Sequence, residues 1–328
     1  MNSNRIEFLD TARALCCLWI VGVWHVEPYL LNPFLIHNEY TEPITVSVLA
    51  SFTIISGYFL GGGGISSRKE VVLFYKKRVQ RFYPLFLVSC ITLYIMHLLQ
   101  CGDFIVDIKQ LIFTITGVVC LTDSYPLTIW YFSMLILFYA VTPLITSRKS
   151  IQKKLLVGSF IYLVIIIIKS LLKGDNRILI YFPVYYFGLL KSENKNISKN
   201  FDAGKFITNI VGMTISVFIG AKIGSLVVLQ LIQAFFGSAC IFEISKLVTN
   251  NYSKKIWETI GYASMCIYLF HRQFMGSIEI IFGDLPAVTF YVIVIPTCIG
   301  FSYCCQRIYD IIIQRIRGHY YALKSENQ

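Results

Sequence analysis

The sequence predicts an all-α, polytopic membrane protein with about ten transmembrane helices and one further re-entrant or interfacial segment. Three observations predict this class. Of 328 residues, 56% are hydrophobic and only 14% are charged, whereas a soluble domain carries roughly a quarter charged residues. The deficit is concentrated in long apolar runs that recur along the chain, too many to be buried core helices of a soluble protein. Finally, the Lys and Arg residues that bring the formal net charge to +11 fall mainly in short connections and the tail, as expected of loops held on the cytoplasmic side.

The expected spans are 11–30, 44–61, 82–100, 129–146, 155–172, 177–190, 205–221, 225–247, 257–282 and 287–306. The first opens with Asp10 and Arg13 and lacks a small-residue cleavage site, so it reads as a retained helix and not a signal peptide. The sixth is at the low end of what crosses a bilayer. The seventh and eighth are nearly continuous, separated only around Lys222–Gly224.

The stretch 104–122 is also apolar, and the charge pattern decides its treatment. If it crossed, the basic segment Arg148, Lys149, Lys153 and Lys154 would fall outside, and every later loop would invert. Kept as a re-entrant or interfacial element, it leaves Arg68 to Arg81, Arg148 to Lys154, Lys191 to Lys205, Lys254–Lys255 and the tail inside. The outer loops then hold Glu27, Glu39, Glu42, Asp103, Asp107, Asp123 and Asp284, so the positive-inside rule selects ten crossings over eleven. The expectation is one membrane-embedded domain over 1–328, with spans within about 11–306, a basic tail at 307–328 and both termini cytoplasmic.

Composition also removes several function classes. A basic chain suggests nucleic-acid binding, but no soluble segment is long enough for such a domain. The chain has ten cysteines, yet Cys16, Cys17, Cys90, Cys240, Cys266 and Cys298 lie within apolar runs, where a thiol acts as a small hydrophobe. Neither a CxxC nor a Cys/His pair at metal-ligand spacing is present, so no metal site is expected. With no room for a soluble catalytic domain, any chemistry belongs to the membrane body.

An ionisable side chain at membrane depth costs a few kcal/mol unless paired or hydrated, so each marks a candidate site. His25 lies about 14 residues into the first span, roughly 20 Å from its start. An imidazole there can serve as base or nucleophile near neutral pH. The same helix opens with Leu9-Asp10-Thr11-Ala12-Arg13-Ala14. The second span ends in Ser56-Gly57-Tyr58-Phe59-Leu60, and the next basic loop holds Lys77-Arg78-Val79-Gln80-Arg81-Phe82-Tyr83-Pro84. Later come Trp130-Tyr131-Phe132, Tyr139, and Ile267-Tyr268-Leu269-Phe270-His271.

In this order and at these separations, the segments resemble the acyltransferase family 3 membrane enzymes over residues 6 to 306. That family consists of ten-helix acyl transferases that modify extracytoplasmic sugars, including O-antigens, exopolysaccharides and other cell-envelope glycans. The resemblance implies an O-acetyltransferase of the bacterial inner (plasma) membrane. Acetyl-CoA would be its co-substrate, with no permanently bound cofactor, and a glycan or lipid-linked oligosaccharide its acceptor; membrane lipids would surround it. It further implies that His25 is the essential first-helix histidine, with Arg13 its partner. Arg78 and Arg81 match the family's RxxR pair, and Ser56, Gly57 and Tyr58 its SGY turn. His271 aligns with a frequent histidine of the ninth span; Asp10 and Trp130 are further pocket candidates.

One spacing departs from the family. Ten residues usually separate the arginine from the histidine, whereas eleven separate Arg13 from His25. In a regular α-helix those twelve steps offset the two by roughly 120°. A π-bulge absorbs one residue and often marks functional sites, and Gly22 is a plausible place for it.

The implied roles are physically coherent. Arg78 and Arg81 are i, i+3 on one helical face, and two guanidinium forks suit phosphate oxygens. Phosphates held there would let the long arm of an acyl-CoA reach between helices toward His25, which either deprotonates the acceptor hydroxyl or carries the acyl group itself. The plainer reading of the arginines is a topology anchor, and that of Trp130, Tyr131 and Tyr139 an interfacial aromatic belt. Glu243 is expected to pair with Lys246, and His37, His97 and His319 are expected to be incidental. A transporter or exporter of a glycan or lipid-linked sugar is the rival class. It would show repeat symmetry or paired broken spans, and neither is evident; a polysaccharide polymerase would need a large outer loop.

Overall fold

The structure is a computed structural model of the chain. It describes all residues except 1–5, 31–37, 39, 63, 102–107, 123–128, 194–196, 225, 253, 284 and 327–328. Glu39, Asp103, Asp107, Asp123, Asp284 and His37 therefore lie outside the described residues, as do the side chains of His97 and His319.

Among the described residues the secondary structure is helical, apart from isolated bridges at Leu30–Leu285 and Thr122–Lys173. The helices are α1 (Glu7–Trp19), α2 (Thr41–Gly61), α3 (Arg68–Cys101), α4 (Ile108–Thr116), α5 (Trp130–Thr146) and α6 (Ile151–Leu171). They continue as α7 (Arg177–Lys191), α8 (Ala203–Ile223), α9 (Val227–Asn251), α10 (Lys254–Phe282), the single turn α11 (Ala287–Thr289) and α12 (Ile295–Glu326). Their starts carry local signals: Asn38 Oδ1 accepts from the Thr41 amide at 2.9 Å before α2, and Asp202 Oδ1 accepts from the Lys205 amide at 3.1 Å before α8. Gly224, with φ of +88°, breaks the chain between α8 and α9, where a residue without Cβ adopts the left-handed region without strain.

Each expected span overlaps helix, although in the first, 11–30, continuous helix ends at Trp24 and a 3₁₀ turn follows at Glu27–Tyr29. Six helical stretches among the described residues are long and apolar enough to cross a membrane by length and composition: Thr41–Gly61, Arg68–Met96, Ile151–Leu171, Ala203–Ile223, Val227–Asn251 and Ala287–Ile316. The expected count of ten is not reached by that measure. α1, α5 and α7 have 13, 17 and 15 residues, below the roughly 20 that span hydrocarbon unaided. α10 is long but carries Lys254, Lys255, Glu258, Arg272 and Glu279. Short or charged helices of this kind lie in the bundle interior, where neighbouring helices replace lipid. Among the described residues of the segment 104–122, which begin at Ile108, stand the nine-residue α4, the turn at Gly117 and a 3₁₀ turn at Val118–Leu121, less continuous helix than the roughly 20 residues that span hydrocarbon.

The bundle is built around α2, whose apolar window is 72% buried, while those of α6 and α8 are 11% and 6% buried and form its outer surface. α2 packs on α7 and α9, α1 on α10 and α9, and α10 on α12 and α3. The α2–α7 contact is close because of small residues. A Cβ on Gly57 would stand 2.2 Å from the Tyr185 carbonyl oxygen, and one on Gly188 2.3 Å from that of Ile54. Such backbone approach is the usual means of holding helices together in lipid, where water supplies no driving force between them. The buried pair Lys246–Glu243, at 2.6 Å, ties α9 together, and Glu243 also accepts from the Asp202 amide at 2.9 Å.

Candidate active site

α1 runs regularly to Trp19 and then widens into a π turn over Ile20–Trp24 that contains Gly22. The His25 amide donates to the Ile20 carbonyl, five residues back, at 2.9 Å. The wider turn takes up one residue, so the extra step between Arg13 and His25 is absorbed where the sequence placed it.

His25 is 9% exposed and meets His271 of α10, which is fully buried. The two rings lie nearly in one plane, 9° apart, with His25 Nδ1 2.7 Å from His271 Nε2. The other nitrogen of His271, Nδ1, is 3.0 Å from the Ile267 carbonyl oxygen and 2.9 Å from that of Tyr268. α10 is fixed at this height by α3. Ser89 Oγ donates to the Leu269 carbonyl at 2.7 Å, and Gln273 Nε2 donates to Ser89 Oγ at 2.9 Å.

Toward the basic end of the bundle, two chambers form one cleft. The inner, of about 410 Å³, is lined by Ser56, Tyr131, Tyr139 and Tyr268 among others. The outer, of about 700 Å³, is lined by Asp10, Lys77 and Asp310 among others. Arg13, Arg78 and Arg81 line both. Arg13 pairs with Asp10 at 2.9 Å and places its guanidinium 5.4 Å from the Phe59 ring centre. Arg78 and Arg81 make no ion pair with a carboxylate among the described residues, and the buried Nε of Arg78 has no hydrogen-bond partner. Unpaired guanidinium groups facing a cleft suit an anionic ligand. Another cavity, of about 760 Å³, lies between α3, α10 and α12, but no charged side chain lines it.

The sequence candidates thus separate into groups. Arg13, Ser56, Arg78 and Arg81 face the inner chamber, and Asp10 the outer one. Gly57 serves the α2–α7 contact, and Tyr58 packs with Phe8, Leu9 and Ile55. Trp130 is not on the cleft: the Arg177 guanidinium sits 3.9 Å from its ring centre, and the Tyr181 ring lies 5.9 Å away. His25 and His271 adjoin each other but do not line the cleft. Tyr268 stands between, lining the inner chamber while its ring meets that of His271 edge-on at 6.0 Å.

Sequence alone assigns no role to Tyr268, which stands within a quoted motif, or to Asp310 and Arg272. Tyr268 precedes His271 by three residues on one helix, a spacing that places both on one face and was there to be read. Asp310 accepts from Tyr262 and from Gln306 Nε2, but in sequence it is one more charge in a basic tail. Arg272 follows His271 directly, and its buried Nε has no hydrogen-bond partner.

A family profile described as an acyltransferase domain, that of acyltransferase family 3, matches residues 6–307. No curated protein and no solved structure matches the chain. The profile match takes in every helix from α1 to α10 and the first part of α12, together with both histidines and the arginine-lined cleft. On that extent, the chain is a multi-pass membrane protein belonging to acyltransferase family 3.

Proposed function

We propose that the protein is an O-acetyltransferase that moves the acetyl group of cytoplasmic acetyl-CoA to a hydroxyl of a cell-surface or envelope polysaccharide. The observation that carries the reading is a cleft with unpaired Arg78 and Arg81 at its rim that leads inward to Tyr268, behind which lies the His271–His25 pair. The phosphates of the donor lie against the arginines, with Arg13 held beside them by Asp10. The thin arm of the donor occupies the inner chamber along Tyr131, Tyr139 and Ser56. The Tyr268 ring swings aside as the thioester arrives.

His25 then takes the proton of the acceptor hydroxyl as its oxygen attacks the thioester carbonyl. The carbon–sulfur bond breaks, the acyl group remains on the acceptor oxygen, and the departing thiolate collects the proton from His25. The acceptor, a glycan or lipid-linked oligosaccharide, reaches the histidine from the extracytoplasmic side of a bacterial plasma membrane. Burial of the pair among apolar helices keeps water from competing for the thioester.

Mass spectrometry of surface glycan tests this reading. Cells carrying the gene should show the mass of an added acetyl group that deletion removes. A His25→Ala variant, present in the membrane at normal level, should lower the modification roughly 100-fold or more. Full acetylation by that variant would rule out the mechanism.

A further inference from the structure

We infer that His271 is a positioning residue that fixes the tautomer of His25, leaving His25 Nε2 as the unprotonated atom that accepts the proton of the acceptor. The inference rests on the acyltransferase reading above and adds a role for the second histidine.

Hydrogen-bond direction carries the assignment. Both contacts of His271 Nδ1 are backbone carbonyl oxygens, at 3.0 and 2.9 Å, and a carbonyl oxygen only accepts. Nδ1 of His271 therefore bears the hydrogen. In a neutral imidazole the other nitrogen then carries a lone pair, so His271 Nε2 is the acceptor in its 2.7 Å contact with His25 Nδ1. In a neutral His25, Nδ1 then donates and Nε2 is the atom that carries the lone pair. The same logic by which a partner on one ring nitrogen sets the character of the other operates in many histidine sites.

The alternative, a doubly protonated His271, would reverse the bond. It would place an unpaired charge on a fully buried ring next to Arg272, with no carboxylate within ion-pair distance among the described residues. That arrangement is costly. The near-coplanarity of the rings, 9°, aligns the nitrogen lone pair with the donated hydrogen. The bonds from Ser89 and Gln273 on either side of His271 hold this part of α10 in register.

The test uses membrane vesicles from gene-deleted cells that express the full-length protein or its variants, supplied with radiolabelled acetyl-CoA; the vesicles carry the unmodified acceptor. His271→Ala removes the acceptor nitrogen and should lower the maximal rate of label transfer roughly 100-fold, with the KM for acetyl-CoA within about twofold of wild type. His271→Gln places an amide oxygen near the position of Nε2 and should recover at least about tenfold of that loss. A wild-type rate in His271→Ala overturns the assignment. So does an equal loss in both variants at normal membrane levels, or a loss confined to KM. If wild-type vesicles transfer no label, the acyltransferase reading itself fails, which is a different result.

Discussion

Arg78 and Arg81 lie three residues apart and face one cleft, so their charges reinforce each other toward whatever enters. Because no carboxylate among the described residues neutralises them, the energy of an anionic ligand there is not already spent on an internal ion pair. Replacing Arg78 with Ala should raise the KM for acetyl-CoA about tenfold, the scale of one charge-assisted hydrogen bond, with little change in the saturated rate. Arg78→Lys should fall between, since an ammonium keeps the charge and loses the planar fork. Initial rates of label transfer across a range of acetyl-CoA concentrations measure both. In sequence His25 stands out because an ionisable group at membrane depth is expensive, whereas Arg13, Arg78 and Arg81 lie at helix ends and stand out only through the spacing of the motifs that hold them. Trp130 could not be placed from sequence, because an aromatic at a helix end looks the same whether its ring is open or, as here, covered by Arg177. The helix rotation that places Arg177 over it is invisible in one dimension.

At the scale of elements, the π turn Ile20–Trp24 is the clearest case of local geometry serving the site. It follows from a count: one residue too many between Arg13 and His25 must go somewhere, and Gly22 offers backbone latitude. Deleting Val23 should convert the turn to regular α-helix and retain acetyl transfer within a few-fold. An Ala inserted after Gly22 should add a second offset of roughly 100° and abolish transfer. Glycan mass spectrometry in complemented cells reads both, and the opposite ranking would refute the register argument. Helices α5 and α7 were expected as spans and are helical, but at 17 and 15 residues they depend on their neighbours more than on lipid. Gly57, part of the SGY turn in sequence, lets α2 and α7 approach until backbone meets backbone.

For the whole molecule, the distribution of Lys and Arg predicts that the Arg148–Lys154 connection and the tail after residue 306 share the cytoplasmic side. Alkaline phosphatase fused at either place should be inactive, and a fluorescent protein fused at either place should be bright. Phosphatase activity at Arg148–Lys154 would mean that the 104–122 segment crosses and the count of ten is wrong. Such an inversion would also place the arginine rim and the tail on opposite faces, and the cleft between α3 and α12 could not then open to cytoplasmic acetyl-CoA.

By itself, the amino-acid sequence determined that lipid is the solvent, that the chain is helical, which runs form helices, and that a histidine stands at membrane depth with three arginines at helix ends in recognisable motifs. These follow from composition and spacing, which are properties of the chain read in one dimension. Only the tertiary structure decided that His271 meets His25 across 246 residues, that Tyr268 divides the cleft from the pair, and that Gly57 packs while Ser56 faces the chamber. Those outcomes depend on how each helix is rotated about its axis and how near its neighbours come. Side-chain volumes from distant segments set both when they are packed together.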